Sequence, residues 1–182
     1  MSGDRAGRGV WASVLRGLNV AGARPVSMAA LRGVYEGLGF RNVRTYVQSG
    51  NVVFQGPPDE RDALEARIQA ALGETLGLPD VDVFLRARDE LERLVRANPF
   101  LAIESDPTKL HATFHGPPTR EPPAPVSGRD TFVLGDGAVY VHCPDGYGRT
   151  KLNNAWFERA LGTRATTRNW RTVTALLDLV GG

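Results

Sequence analysis

The stretch Val43–Gln55, VRTYVQSGNVVFQ, decides how this chain folds. Two runs rich in β-branched and aromatic residues meet at Ser49 and Gly50, where a glycine relieves a backbone that turns with positive φ. It is the clearest hairpin signal in the sequence. Upstream, WASVLRGLNV is apolar from Trp11 to Leu18, broken by Gly17 and followed by Gly22 and Pro25, a strand entering a tight loop. Between the two, Ser27 is placed to cap a helix carrying Met28, Leu31, Tyr35 and Leu38 at helical spacing, closed by Gly39 with Phe40 as its apolar contact. Downstream, Asp59 opens a second helix whose inner face is Leu64, Ile68, Ala71 and Leu72 and which ends at Gly77. The segment VDVFLRA then alternates as a strand. Strand, helix, strand, strand, helix, strand is the order of a ferredoxin-like split βαβ unit.

Beyond it, Asp89 and Glu92 form a pair resembling a capping box at the head of a short helix stopped by Asn98 and Pro99. KLHATFHG and DTFVLGDGAVYVHC supply further strands, the latter a hairpin at Gly135, Asp136 and Gly137. The proline-rich GPPTREPPAPVSGRD between them reads as an extended surface loop with freedom to move. Leu152, Trp156 and Ala160 line one helix, ended by Gly162, and Trp170, Val173, Leu177 and Val180 line a last one, capped by Thr166 or Thr167. The expected class is α+β, an alpha-beta sandwich. Its parts are a flexible terminus over 1–10, a ferredoxin-like βαββαβ subdomain over 11–87, and a second α/β subdomain over 88–182 packed intimately on the first. No internal sequence repeat is evident.

At 182 residues and 42% hydrophobic content the chain can bury a real core. No run approaches the roughly 18 apolar residues of a membrane span, and the first residues lack the apolar region of a secretory leader. One cysteine, Cys143, builds neither a disulfide framework nor a Cys-rich metal site. A cytoplasmic protein without membrane association, monomer or homodimer, is the expectation. The net charge of +2 is segregated: +5 over residues 1–58, −7 over 59–146 and +4 over 147–182. Twenty of the twenty-two bases are Arg, so Arg abundance means little, and the two lysines, Lys109 and Lys151, stand out.

No reactive constellation is legible. His111 and His115 lie four apart in an alternating segment, and four strand residues span roughly 13 Å, too far for one metal ion. His142 and Cys143 are neighbours that point to opposite faces of a strand. Asp145 precedes a glycine in a turn. No metal and no cofactor is expected. A basic stretch, Gly146–Thr172, is the better candidate: a strand feeds a Gly-rich turn, then Arg149, Thr150 and Lys151, then a helix N-terminus. Asn153, and then Arg168, Asn169 and Arg171 before a second helix, add donors. Tyr147 is placed either to stack on a base or sugar or simply to cover the turn. RGLNVAGARPVS, with Arg16, Asn19 and Arg24 around glycines, is a third polar loop.

Val14–Val20, Arg24–Met28, Leu38–Phe54, Pro144–Asn153 and Thr166–Val173, taken in order, resemble the bacterial family called domain of unknown function 1697. Leu15 stands where the family usually has Ile, and Ala21 where Gly is common; neither change removes a polar group. The resemblance implies ferredoxin-like halves and no established activity. It also implies that the polar segments Arg16 and Asn19, Gln48–Asn51, Tyr147–Asn153, and Arg168–Trp170 define the family, and their convergence in space is an expectation for the structure to test. The function expected is binding of a phosphate-bearing ligand, nucleotide or nucleic acid. The candidate residues are Arg16, Asn19, Arg24, Ser49, Asn51, Tyr147, Arg149, Lys151, Asn153, Arg168 and Asn169. The alternatives are an enzyme acting on a small anionic metabolite, or a protein-interaction module.

Overall fold

In the computed structural model, which describes residues 9–18, 25–47, 50–58, 61–121, 123–124 and 128–182, Val43–Gln55 forms the expected hairpin. Its strands are β2 (Arg41–Tyr46) and β3 (Asn51–Gly56). They follow β1 (Gly9–Arg16) and α1 (Met28–Gly37) and precede α2 (Arg61–Leu76) and β4 (Asp82–Ala87). Gly50 turns with φ +79°, and a Cβ there would lie 2.9 Å from Leu15 Cβ and 3.0 Å from Leu18 Cδ2. The Gly50 carbonyl accepts from Leu15 N at 2.8 Å, which joins the turn to β1. Ser49 and the predicted cap Asp59 lie outside the described residues.

α1 starts and stops as its sequence dictates. Ser27 Oγ accepts from Ala30 N at 3.1 Å. At the other end Gly39, with φ +81°, donates to Glu36 O while Phe40 N donates to Tyr35 O, the paired bonds that satisfy a helix's last carbonyls. The sheet order is β2-β3-β1-β4 with antiparallel neighbours, the ferredoxin-like arrangement. Leu31, Tyr35, Leu64, Ile68 and Leu72 of the two helices pack on Trp11, Leu15, Phe54 and Leu85 of the sheet. Phe54 stacks on Phe40 with ring centres 4.5 Å apart and meets Tyr35 edge-on at 5.3 Å. Glu65 on α2 accepts from Leu85 N at 2.7 Å and so occupies an amide of the edge strand β4.

The second sheet comprises β5 (Leu110–His115), β6 (Thr131–Leu134), β7 (Ala138–His142) and β8 (Ala165–Asn169). Around it run α3 (Arg88–Arg96), α4 (Asn154–Leu161) and α5 (Trp170–Gly181). The chain divides into two compact units, one reaching to Arg88 and including Asp178–Gly182, the other Asp89–Leu177. Each has a four-stranded antiparallel sheet, and the fold is α+β.

Three expectations need correction. TTRN is a strand, not the cap of the last helix: Thr166 and Thr167 pair with Phe114 and Thr113 of β5, and the cap is Asn169, whose Oδ1 accepts from Thr172 N at 2.9 Å. A ladder partner that only the fold supplies outcompetes a local cap. The buried stripe around α4 is Leu152, Phe157 and Leu161 rather than Leu152, Trp156 and Ala160, because the helix begins at Asn154 and Leu152 precedes it. The opening of the proline-rich segment is tied down. Thr119 N and Arg120 N donate to Leu161 O, Thr119 Oγ1 to Gly162 O, and Arg120 Nη1 to Arg159 O, so it covers the carbonyls that the end of α4 leaves unpaired.

A repeat invisible in the sequence emerges from topology. The second sheet has the order β6-β7-β5-β8, which is the first order with β5–β8 in place of β1–β4. Ala12 faces Arg86 across β1 and β4, as Ala112 faces Arg168 across β5 and β8. In both, the arginine is buried and its Nη1 donates to the carbonyl of the preceding residue, Leu85 at 2.7 Å and Thr167 at 3.0 Å. Each fourth strand runs directly into a helix, with Leu91 and Leu94 buried on α3 and Val173 and Leu176 on α5. The first crossover differs: it is α1 in one unit, whereas in the other the described residues between β5 and β6 form no helix.

Candidate functional site

The connection from β7 to α4 is built on a short 3-10 turn, Tyr147–Arg149, entered through Gly146 at φ +91°. Tyr147 anchors it. Its ring lies on that of His111 of β5, with centres 4.6 Å apart and planes 31° from parallel, and burial raises the pKa of its phenol against a smaller opposing pull from the Thr167 hydroxyl of β8. Thr167 Oγ1 donates to Asn154 Oδ1 at 2.7 Å. With its one proton spent there, Thr167 accepts from Thr113 Oγ1 at 2.8 Å. One hydroxyl thus joins the inner strand β5, the edge strand β8 and the first residue of α4.

His111 is only 5% exposed, and its Nδ1 has no hydrogen-bond partner of good geometry among the described residues. Burial lowers its pKa to about 4, against a smaller opposing pull from the Lys109 carbonyl. The folded chain therefore holds His111 neutral where the unfolded chain takes up a proton. Its contribution to stability is complete above the unfolded pKa of about 6.5 and is lost as pH falls from there toward 4. His111→Phe is expected to flatten the pH dependence across that window by an amount of order 2 kcal/mol. Urea midpoints at pH 4.5 and 7 measure it; equal pH dependence in parent and variant contradicts the assignment.

Beyond Tyr147 the chain extends at Thr150, φ −72° and ψ 145°. Thr150 Oγ1 accepts from Leu152 N at 3.0 Å, and its hydroxyl exerts a smaller downward pull on the pKa of the buried Cys143 thiol. Burial raises that thiol to about 11, which makes it inert rather than nucleophilic. Arg149 and Lys151, on either side of Thr150, are exposed. Asn153 caps α4, its Oδ1 accepting from Trp156 N at 3.0 Å.

The other sequence candidates fare differently. Arg16 lies 3.7 Å from Asp82. Asn51 is buried, and its Nδ2 donates to Tyr46 O at 3.1 Å, closing the hairpin. Arg168 is buried, with Nη1 on Thr166 Oγ1 and Thr167 O, and burial brings its pKa down to about 10, which leaves it charged at neutral pH. Asn169 caps α5. Asn19, Arg24 and Ser49 lie outside the described residues. Of the two lysines, Lys109 is 3.6 Å from Glu104, which also meets His142 at 3.3 Å. Asp145 pairs with Arg129 at 2.9 Å. His111, Thr113, Asn154 and Thr167 went unrecognised as site residues. The one signal for them was the alternation of β5, which places His111 and Thr113 on one face.

A family model described as "Protein of unknown function (DUF1697)" matches residues 9–140. The chain belongs to this family. The DUF1697 match covers the first sheet and runs into β7; Tyr147–Asn153 and Arg168–Trp170, which also carried the resemblance, lie beyond it. Among solved structures, the conserved bacterial protein SP0830 from Streptococcus pneumoniae is similar in fold. Its TM-score is 0.70 at 19% identity, over 95% of this chain and 99% of that one. No curated protein matches the chain. No described helix of this DUF1697 member is long and apolar enough to cross a membrane.

Proposed function

We propose that this chain binds a phosphate-bearing ligand, a nucleotide or nucleic acid, at the β7–α4 connection, in a cytoplasmic setting that suits its one buried thiol. One observation carries the reading. Arg149 and Lys151 are exposed, adjoin the N-terminus of α4, and have no acidic partner among the described residues, while the nearby Asp145 is engaged by Arg129. Free cations beside helix N-terminal amides favour an anion by charge and dipole together. The Tyr147–His111 stack and the Thr167–Asn154 bond hold the connection in place before any ligand arrives, which lowers the ordering cost of binding.

Thermal unfolding with tripolyphosphate, nucleoside triphosphates and short DNA and RNA duplexes tests it. A ligand at 100 times its Kd adds about 2.7 kcal/mol, a rise of several degrees. The rise is expected in the parent and should vanish in the Arg149→Ala/Lys151→Ala double variant. Stabilisation that survives both changes moves the site elsewhere; none with any phosphate compound refutes the reading.

A further inference from the structure

Resting on that reading, we infer that the β7–α4 connection reads phosphates alone: it fits two successive phosphates of a nucleic-acid duplex and makes no contact with a base. The first argument is spacing. Extended backbone at Thr150 separates the Cα atoms of Arg149 and Lys151 by roughly 7 Å, and the inward bond of Thr150 leaves the two flanking cations as the exposed groups. A duplex strand presents its phosphates as a regular, dense row of single charges to such a pair.

The second argument is that every aromatic ring near the turn is already committed. Tyr147 is half-buried and lies on His111. Trp156 packs against Phe132 at 5.4 Å and Phe157 at 5.0 Å. Trp170, 4% exposed, meets Tyr140. Single-strand binders depend on aromatic faces on which bases stack, and this segment offers none without breaking its own anchor. The buried Arg168, held by Thr166 and Thr167, is likewise withheld from the ligand.

Anisotropy titrations of labelled duplexes from low to moderate salt test the inference. Two neutralised phosphates give a slope of log K against log salt of about −1.8, and Arg149→Ala or Lys151→Ala should each bring it to about −0.9. Arg168→Ala should leave the slope unchanged. Duplexes of different sequence, and one with abasic positions, should bind within twofold of each other, and the matching single strand should bind more weakly. Preference for the single strand, dependence on base identity, or slopes unmoved by both exposed-site variants overturns the inference. In the first two cases the phosphate reading survives, because tripolyphosphate still stabilises the chain. If neither tripolyphosphate nor any duplex binds, the reading and the inference both fall.

Discussion

Gly50→Ala is expected to destabilise the protein by about 4 kcal/mol. Two costs add. An alanine at φ +79° is strained by about 1–3 kcal/mol. Its methyl group would also press against Leu15 and Leu18, both buried, and forced overpacking costs about 1–3 kcal/mol more. Neither neighbour can retreat easily, since Leu15 N is bonded to the Gly50 carbonyl and its side chain is core. The urea midpoint should fall with little change in slope. Gly33→Ala is the control: Gly33 lies within α1 with no atom within 4 Å of a new Cβ, and alanine there should stabilise by about 0.5–1 kcal/mol. If Gly50→Ala unfolds no earlier than the parent, the turn has another geometry.

Thr167→Val is expected to cost about 3 kcal/mol. Valine keeps the shape but strands the Thr113 hydroxyl and the Asn154 side-chain oxygen, which both bond the Thr167 hydroxyl. A buried polar group left without a partner costs about 1–3 kcal/mol, and Asn154 is near enough to solvent to recover part of its own. Thr113, fully buried, cannot. Adding Thr113→Val to Thr167→Val should therefore cost less than the two single losses together, by about 1 kcal/mol or more. Strict additivity would show that the two hydroxyls do not depend on each other. Loss of the anchor should also weaken phosphate binding at Arg149 and Lys151, although neither cation has been touched.

The first unit was legible because its signals are local. Ser27 and Gly39 mark the ends of α1 by chemistry that acts within a few residues, and Gly50 marks the hairpin by the conformation it alone tolerates. The second unit was harder for a physical reason. Thr166–Asn169 carries residues equally suited to capping a helix and to extending as a strand, and the partner that decides the matter, β5, is some fifty residues away in sequence. The same distance hid the site's anchor. His111 read correctly as a strand residue, but nothing near it in sequence announces Tyr147, with which it stacks. Basic residues of one appearance in the sequence also proved unequal. Arg16 sits beside Asp82 and Arg168 is buried, whereas Arg149 and Lys151 are open.

What the amino-acid sequence determined by itself was the order of elements from β1 to β7, the cap and glycine end of α1, the glycine turn of the first hairpin, and the α+β class, since periodicity and glycine or capping chemistry act over a few residues. Tertiary structure alone decided that TTRN completes a second sheet, that this sheet repeats the order of the first, and which cations remain exposed. Those outcomes depend on strand pairing and burial between segments far apart in the chain, and no local pattern encodes a partner that distant.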